Sequence, residues 1–329
     1  MEAVRQKHPN LCIHIPKDKR ARITSYVNHI AKRPDIRVDR DAVERRISKY
    51  AKKKSKTSQH VAKLFQGMLN EFSFSDGSWW HRPNVSPFHT KTGRDTSLGP
   101  ALNYVPKEYW PSILLPPPRF SYALLDYEQQ EPLISAHLAG CETLLEWYQA
   151  GDIYEQVAHL LDDPRLGRPQ TKTLLIALLY GISKQTLAEK LGVTISVVTG
   201  WMREVERVTY PIGPYLNRVG RTIQKNKVAT SLSWRYAIDK KDSFNSLRNW
   251  SIQATGADIM RRACLEFDAA HIPLLLTNHD SFLIQVKTSN IKQELEKAKE
   301  ILEVASSEVL RGFKLKAKVE MILRNKTNE

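Results

Sequence analysis

The sequence predicts an α+β fold, with one helical segment before an antiparallel sheet and another inserted within it. Strand-like apolar runs at residues 72–74, 120–125, 272–286 and 314–323 bracket a stretch, 141 to 245, that is mainly helical. The polar turn Asn278-His279-Asp280-Ser281 divides the run 272–286 into the two strands of a hairpin. At 329 residues the chain can bury a substantial core. Its 41% apolar and 26% charged residues rule out disorder, collagen-like repeats and a disulfide-stapled miniprotein. The longest apolar run, 174–182, is far short of the roughly 20 residues of a membrane span. The polar start MEAVRQKHPN carries no signal-peptide pattern, so export is not expected. Cys12, Cys141 and Cys264 are widely spaced and form no CxxC pair, which fits a reducing, cytoplasmic-type compartment and neither a zinc knuckle nor a disulfide framework.

Charge narrows the partners. Lys plus Arg is 50 against 35 Asp plus Glu, a net +15, and residues 1–71 hold 18 of the cations and only 7 of the acids. A basic region of this size favours a polyanion, because phosphate contacts release condensed counterions; nucleic acid is the leading candidate. A solvated, soluble face is the plainer alternative.

Taken in order, residues 1–71 read as helical, with Val43, Ile47 and Tyr50 on one face ahead of the run Lys52-Lys53-Lys54-Ser55-Lys56. Phe72-Ser73-Phe74 followed by Asp76-Gly77 predicts a hairpin. A turn-rich stretch from 83 to 118 leads into the apolar strand 120–125, which ends at Asp126. Residues 131–150 predict a helix with Pro132 in its first turn. An amphipathic helix is expected over 289–310 and a last strand over 314–323. No internal repeat or low-complexity segment is present.

Two acids stand out by position. Asp126 ends a strand and Asp280 sits in a tight turn, so rigid backbone holds each carboxylate. Such a pair can bridge two Mg²⁺ ions for in-line phosphoryl or nucleotidyl transfer; each can also be a turn aspartate that caps its own backbone. Arg168, Lys172, Ile176 and Tyr180 recur every four residues and share a helical face, with Pro169 and Gly181 at its ends. Two cations there suit a triphosphate, and an apolar and an aromatic side chain suit a base; an amphipathic helix with solvated cations is the simpler account. Glu131 has the ordinary explanation of an acid at a helix start. Asn249 and Gln253, one turn apart, can donate to minor-groove acceptors, which are common to every base pair. Residues 185–201 have the look of a helix-turn-helix, which makes a DNA-binding regulator a competing reading.

In this order, these pieces resemble the family A DNA polymerases, over roughly residues 72–329. The resemblance rests on Thr92-Gly93-Arg94, on Asp126-Tyr127-Glu128-Gln129-Gln130-Glu131 with His137, on the Arg168…Lys172…Ile176…Tyr180-Gly181 block, on Asn249…Gln253…Asp258 and on His279-Asp280. It implies a right-hand fold: a reduced basic thumb (1–71), a palm in two parts (72–140 and 246–329) and helical fingers (141–245). It implies template-directed addition of dNTPs to a primer 3′ end, with two Mg²⁺ ions for which Mn²⁺ can substitute. Asp126, Asp280 and the Tyr127 carbonyl would hold the metals. Arg168 and Lys172 would hold the triphosphate, and Ile176, Tyr180, Gln129 and Glu131 would complete the nucleotide site, with Glu131 as the steric gate against a ribose hydroxyl. Arg94, Asn249, Gln253 and His279 would line the duplex. Partners would be primer–template DNA and dNTPs, with an unidentified processivity factor and no membrane. About 70 residues precede the palm, so no proofreading domain is expected.

Four departures bear on sugar choice. Ile176 replaces an aromatic, Tyr154 replaces the His of D-I-H, Asn245 replaces an Arg, and Ser281 replaces the Glu after H-D. His-Asp-Ser is the pattern of the single-subunit phage RNA polymerases, so an RNA polymerase or primase-like enzyme is the alternative; Glu131 argues against it, since those enzymes have a small residue there.

Overall fold

The computed structural model describes residues 17–325, with side chains from Thr24 onward. Cys12 and the rest of the first sixteen residues lie outside the described residues. In chain order come α1 (Lys17–Lys32), β1 (Ile36–Val38), α2 (Arg40–Ala51), α3 (Lys56–Asn70), β2 (Phe72–Ser75) and β3 (Ser78–His81). The short pair β4 (Val85–Ser86) and β5 (Thr96–Ser97), then α4 (Trp110–Ile113), lead to β6 (Phe120–Tyr127). Next are α5 (Gln130–Ala139), α6 (Glu142–Ala150), α7 (Ile153–Leu161), α8 (Arg168–Tyr180), α9 (Lys184–Leu191), α10 (Ile195–Val208) and α11 (Ile212–Asn226). After β7 (Val228–Thr230), β8 (Arg235–Ala237), α12 (Phe244–Arg248) and α13 (Trp250–Ala269) come β9 (Leu274–Asn278), β10 (Ser281–Lys287), α14 (Ile291–Val309) and β11 (Ala317–Arg324).

The chain divides into two compact units. Among the described residues, a helical unit holds Gln129–Asp258 with Glu308–Phe313; a sheet unit holds residues 17–128, Ile259–Ser307 and the stretch from Lys314.

The sheet unit is built on a four-stranded antiparallel sheet in the order β11-β6-β10-β9. Its central strand β6 reads as continuously apolar because both its faces are covered. Alternation places Tyr122, Leu124 and Asp126 on one face, and Ala123, Leu125 and Tyr127 on the other. On the first face, Tyr122, Leu124, Leu276 and Leu283 share a core with Ile36, Val43, Phe65 and Met68 from β1, α2 and α3. On the second, Phe282 packs edge-on to Tyr127 at 5.9 Å and against Phe267 at 5.6 Å. The Tyr127 hydroxyl, buried there, donates to the Leu302 carbonyl at 2.7 Å.

Two expectations change in this unit. The amino-terminal segment is not wholly helical: β1 joins β3 and β2 in a second antiparallel sheet, Ile36 opposite His81 and Val38 opposite Trp79. Three residues are too few to show an alternating period, so the strand is selected by its partner. The boundary expected at residue 71 also falls inside a continuous core, since α2 and α3 bury Val43, Phe65 and Met68 beneath the main sheet.

In the helical unit the single helix expected over 131–150 is two helices. Gly140, left-handed at φ 71°, ends α5 with its N–H on the Ala136 and His137 carbonyls. The hairpin β7–β8, Val228 opposite Ala237, interrupts the helical stretch. α8 buries Leu174, Leu175, Ala177 and Leu179 and leaves Arg168 and Lys172 exposed. Its end at Gly181 favours glycine because φ is 64°, in the left-handed region. The helix-turn-helix look-alike is α9, Gly192 and α10; α10 turns Val198, Trp201, Met202 and Val205 into the unit's interior. Cys141 and Cys264 are free and buried. Among the described residues no helix is long and apolar enough to cross a membrane.

Candidate active site

The sheet unit brings Asp126 and Asp280 together. Ser281 lies opposite Asp126 across the β6–β10 ladder, so Asp280, one residue earlier in the two-residue turn, stands at the same end of the sheet. His279 takes φ 54° in that turn and is exposed; the Ser281 hydroxyl donates to the Asn278 carbonyl at 2.8 Å and closes it. The Tyr127 N–H donates to the Asp280 carbonyl at 3.2 Å, which ties the end of β6 to the turn.

The electrostatics of this pair are unbalanced. Burial, first, and the Asp280 charge, second, push the Asp126 carboxyl from 3.8 up to about 8. Lys107 lowers it and Glu320 raises it further. Those two groups form their own ion pair at 2.6 Å, with Glu320 carried where the β11–β6 register slips between Val319 and Met321. Asp126 Oδ1 is buried with no hydrogen-bond partner among the described residues. Two adjacent carboxylates with an orphaned oxygen fit a divalent cation. No group of three or more His, Cys, Asp or Glu gathers among the described residues. The donor set is therefore two carboxylates. That is too few for an all-protein cage, and it suits Mg²⁺, which keeps waters and takes substrate phosphate oxygens.

Arg94 lies in the sheet unit too, on the turn 90–94, where the Thr90 hydroxyl accepts its N–H at 2.9 Å.

The helical unit carries a second group. The exposed Arg168 is gripped by Asp152 through Nε at 2.8 Å and Nη2 at 2.7 Å, and its guanidinium lies 5.2 Å from the Tyr154 ring centre. Ile176 is half-buried one turn past the exposed Lys172. Tyr180, at the far end of the same face, donates its hydroxyl to Glu131 at 2.9 Å and accepts from the Gln253 amide at 3.2 Å. These contacts draw α5, α8 and α13 into one polar network.

Two candidates are placed differently from expectation. Gln129 adopts φ 56° before α5, and its side-chain oxygen accepts the Ile153 N–H at 3.0 Å, so its amide links α5 to α7. Asn249 is 1% exposed and caps α12; its amide lies buried without a partner among the described residues and is not presented at the surface. Asp152, Lys107 and Glu320 were not singled out from sequence. Asp152 carried a signal in Asp152-Ile-Tyr154, beside the noted Tyr154; the other pair, 213 residues apart, carried none.

The chain is 28% identical over 255 residues to DNA polymerase I of Deinococcus radiodurans, covering 67% of this chain and 27% of that protein. It is 24% identical over 212 residues to the DNA polymerase of Mycobacterium phage D29, covering 60% of this chain and 34% of that one. The chain thus spans about a quarter to a third of the length of these relatives. Its fold superposes on a solved structure described as the POL domain of Pol1 from M. smegmatis in complex with DNA primer-template and dNTP, with a TM-score of 0.78 at 20% identity, covering 98% of this chain and 73% of that one. The sequence model for DNA polymerase family A matches residues 35–325, and the chain belongs to that family.

Proposed function

We propose that this chain is a template-directed DNA polymerase domain that adds dNTPs to a primer 3′ end. The observation that carries the proposal is the half-buried Asp126–Asp280 pair at one end of the sheet, with Asp126 Oδ1 left without a hydrogen-bond partner among the described residues. Asp126 and Asp280, with the Tyr127 carbonyl, would hold two Mg²⁺ ions, for which Mn²⁺ can substitute; when bound, the ions make the primer 3′ hydroxyl more acidic and neutralise the departing phosphates.

Residues of the helical unit serve the nucleotide. Arg168 and Lys172 offer two cations one helical turn apart to the triphosphate, and Arg168 exchanges its Asp152 partner for phosphate oxygens of like charge. Glu131, fixed by the Tyr180 hydroxyl, occupies the room a ribose 2′-hydroxyl would need. Ile176 and Tyr180 supply the apolar and aromatic surface for the base pair. Gln253, held at Tyr180, together with Arg94 and His279, faces the duplex; Asn249 does so only if its buried amide becomes exposed. The exposed lysines of the amino-terminal helices grip the backbone phosphates as a reduced thumb.

The test is extension of a labelled primer on a DNA template with Mg²⁺ and either deoxy- or ribonucleotides, comparing wild type with Asp280→Asn. Deoxynucleotide extension that the substitution abolishes is the expected result. Extension with ribonucleotides instead would transfer the chain to the RNA-synthesising branch suggested by His279-Asp280-Ser281. Tight duplex binding with no extension by the wild type would overturn the proposal.

A further inference from the structure

The sheet unit contains a buried polar cluster that none of the roles above uses, and it closes around the turn bearing Arg94. That turn is tight: the Thr90 N–H donates to the Arg94 carbonyl at 3.1 Å, and the Gly93 N–H to the Thr90 carbonyl at 2.9 Å, with Gly93 at φ 74°. The next residue, Asp95, reaches in two directions. Its Oδ1 accepts the N–H of Phe88 at 3.2 Å, across the loop, and its Oδ2 accepts the hydroxyl of Tyr26 from α1. Burial, first, and Asp95, second, push the Tyr26 phenol well above its ordinary range, so it stays protonated and donates. From α13, Arg261 donates Nη1 to the Gly93 carbonyl and lays its guanidinium 4.7 Å from the Phe88 ring centre. Tyr26 is 2% exposed and Arg261 6%. Phe88 itself holds φ 55°, a left-handed conformation that a bulky residue keeps only when its surroundings impose it.

These contacts hold the residues on both sides of Arg94: Gly93 by its carbonyl through Arg261, and Asp95 by its carboxylate through the Tyr26 hydroxyl and the Phe88 N–H. The buried Arg261 guanidinium needs acceptors, and the one it takes is the carbonyl of the residue before Arg94, so its own satisfaction is tied to the position of this turn. We propose that Tyr26, Asp95 and Arg261 form a clamp that fixes the 90–95 turn and so presents Arg94 to the primer–template duplex. They are positioning residues for DNA binding. The proposal rests on the reading of Arg94 as a duplex contact.

The mechanism is preorganisation. A turn held rigid before the duplex arrives loses little conformational freedom on binding; a slack turn must be ordered at the expense of affinity. The Tyr26→Phe substitution removes one hydroxyl and no volume, so it slackens the clamp without opening a cavity.

The experiment is a titration of a labelled primer–template duplex, read by fluorescence anisotropy, against the full chain as wild type, Tyr26→Phe, Arg94→Ala and the double variant. Tyr26→Phe is expected to weaken binding roughly tenfold, the scale of one buried hydrogen bond to a charged acceptor. In the Arg94→Ala background it should change nothing, because no side chain is left to present. With the duplex saturating, kcat should stay within about twofold of wild type while KM for the duplex rises. Arg261→Lys keeps the charge but loses the planar stack on Phe88, and it should reproduce the pattern; it replaces Tyr26→Phe if that variant fails to fold, as judged by thermal unfolding. Equal loss in both backgrounds would mean that Tyr26 acts through general stability and would overturn the clamp, as would wild-type affinity for Tyr26→Phe. Wild-type affinity for Arg94→Ala would overturn the reading of Arg94 itself.

Discussion

The two units hold their reactive groups in opposite electrostatic conditions. In the sheet unit, burial and the Asp280 charge push the Asp126 carboxyl up to about 8, and its Oδ1 has no hydrogen-bond partner among the described residues, so the two carboxyls ionise together at neutral pH only when a cation joins them. In the helical unit the cation Arg168 is already paired with Asp152 and the anion Glu131 with Tyr180. The difference follows from backbone. A hairpin turn and a strand end hold their acids against a rigid ladder and cannot swing them apart, whereas side chains on an exposed helix face choose local partners that a substrate can displace. On the proposed reading, the first region would be completed by a ligand and the second would exchange partners with one.

The sharpest way to break this contrast is to remove the like-charge pair. Asp280→Asn is expected to lower primer extension on the order of 10³-fold, the scale of losing preorganised charge at a metal site; a loss of only a few-fold would show that the pair is not central. The next largest effect concerns what holds the sheet. Phe65→Ala should destabilise the protein by about 3–5 kcal/mol in urea unfolding, because Phe65 is fully buried in the core shared with Tyr122 and Leu283. A near-neutral result would restore the picture of residues 1–71 as a separable appendage. In the helical unit, Glu131→Ala should raise ribonucleotide incorporation by about 10- to 100-fold, and Tyr180→Phe, which only loosens Glu131, by a few-fold; single-nucleotide insertion rates check both.

The subtlest test is pH. Folded, metal-free Asp126 titrates near 8 against 3.8 unfolded, so between those values the folded state binds more protons. Its contribution to stability therefore falls as pH rises from about 4 to about 8. Relative to Asp126→Asn, which has no such group, the wild type should lose stability between about pH 5 and pH 8 without Mg²⁺ and recover it when Mg²⁺ is added at the higher pH. Parallel stability profiles for the two proteins would exclude an unbalanced pair. His29 and His81, both pushed down to about 4 by burial, destabilise the fold below about pH 6 in both proteins and cancel in the comparison.

Much of this molecule was legible before its folding was known. Alternation located β2, apolar runs bounded by turn residues located β6, β9, β10 and β11, and the four-residue spacing of Arg168, Lys172, Ile176 and Tyr180 located the exposed face of α8. These signals are local: they arise from which side of a strand or helix meets water. The same locality explains the misses. A reading of residues 131–150 by periodicity passes over Gly140, whose left-handed cap depends on φ and not on hydropathy. β1 is invisible alone because β3 decides that it is a strand. Asn249 looked like a surface amide because helical spacing says nothing about what packs over a face.

The sequence by itself determined the order of elements, the two acids at strand ends and the cation stripe, because each depends on residues near one another in the chain. Only tertiary structure decided that Lys107 pairs with Glu320, that Tyr180 locks Glu131, and that Tyr26 and Arg261 meet around Asp95 and Gly93. Those partners lie 49 to 213 residues apart. Their pairing is fixed by the packing of distant elements and by the cost of burying a polar group unpaired, and neither is written in any local pattern.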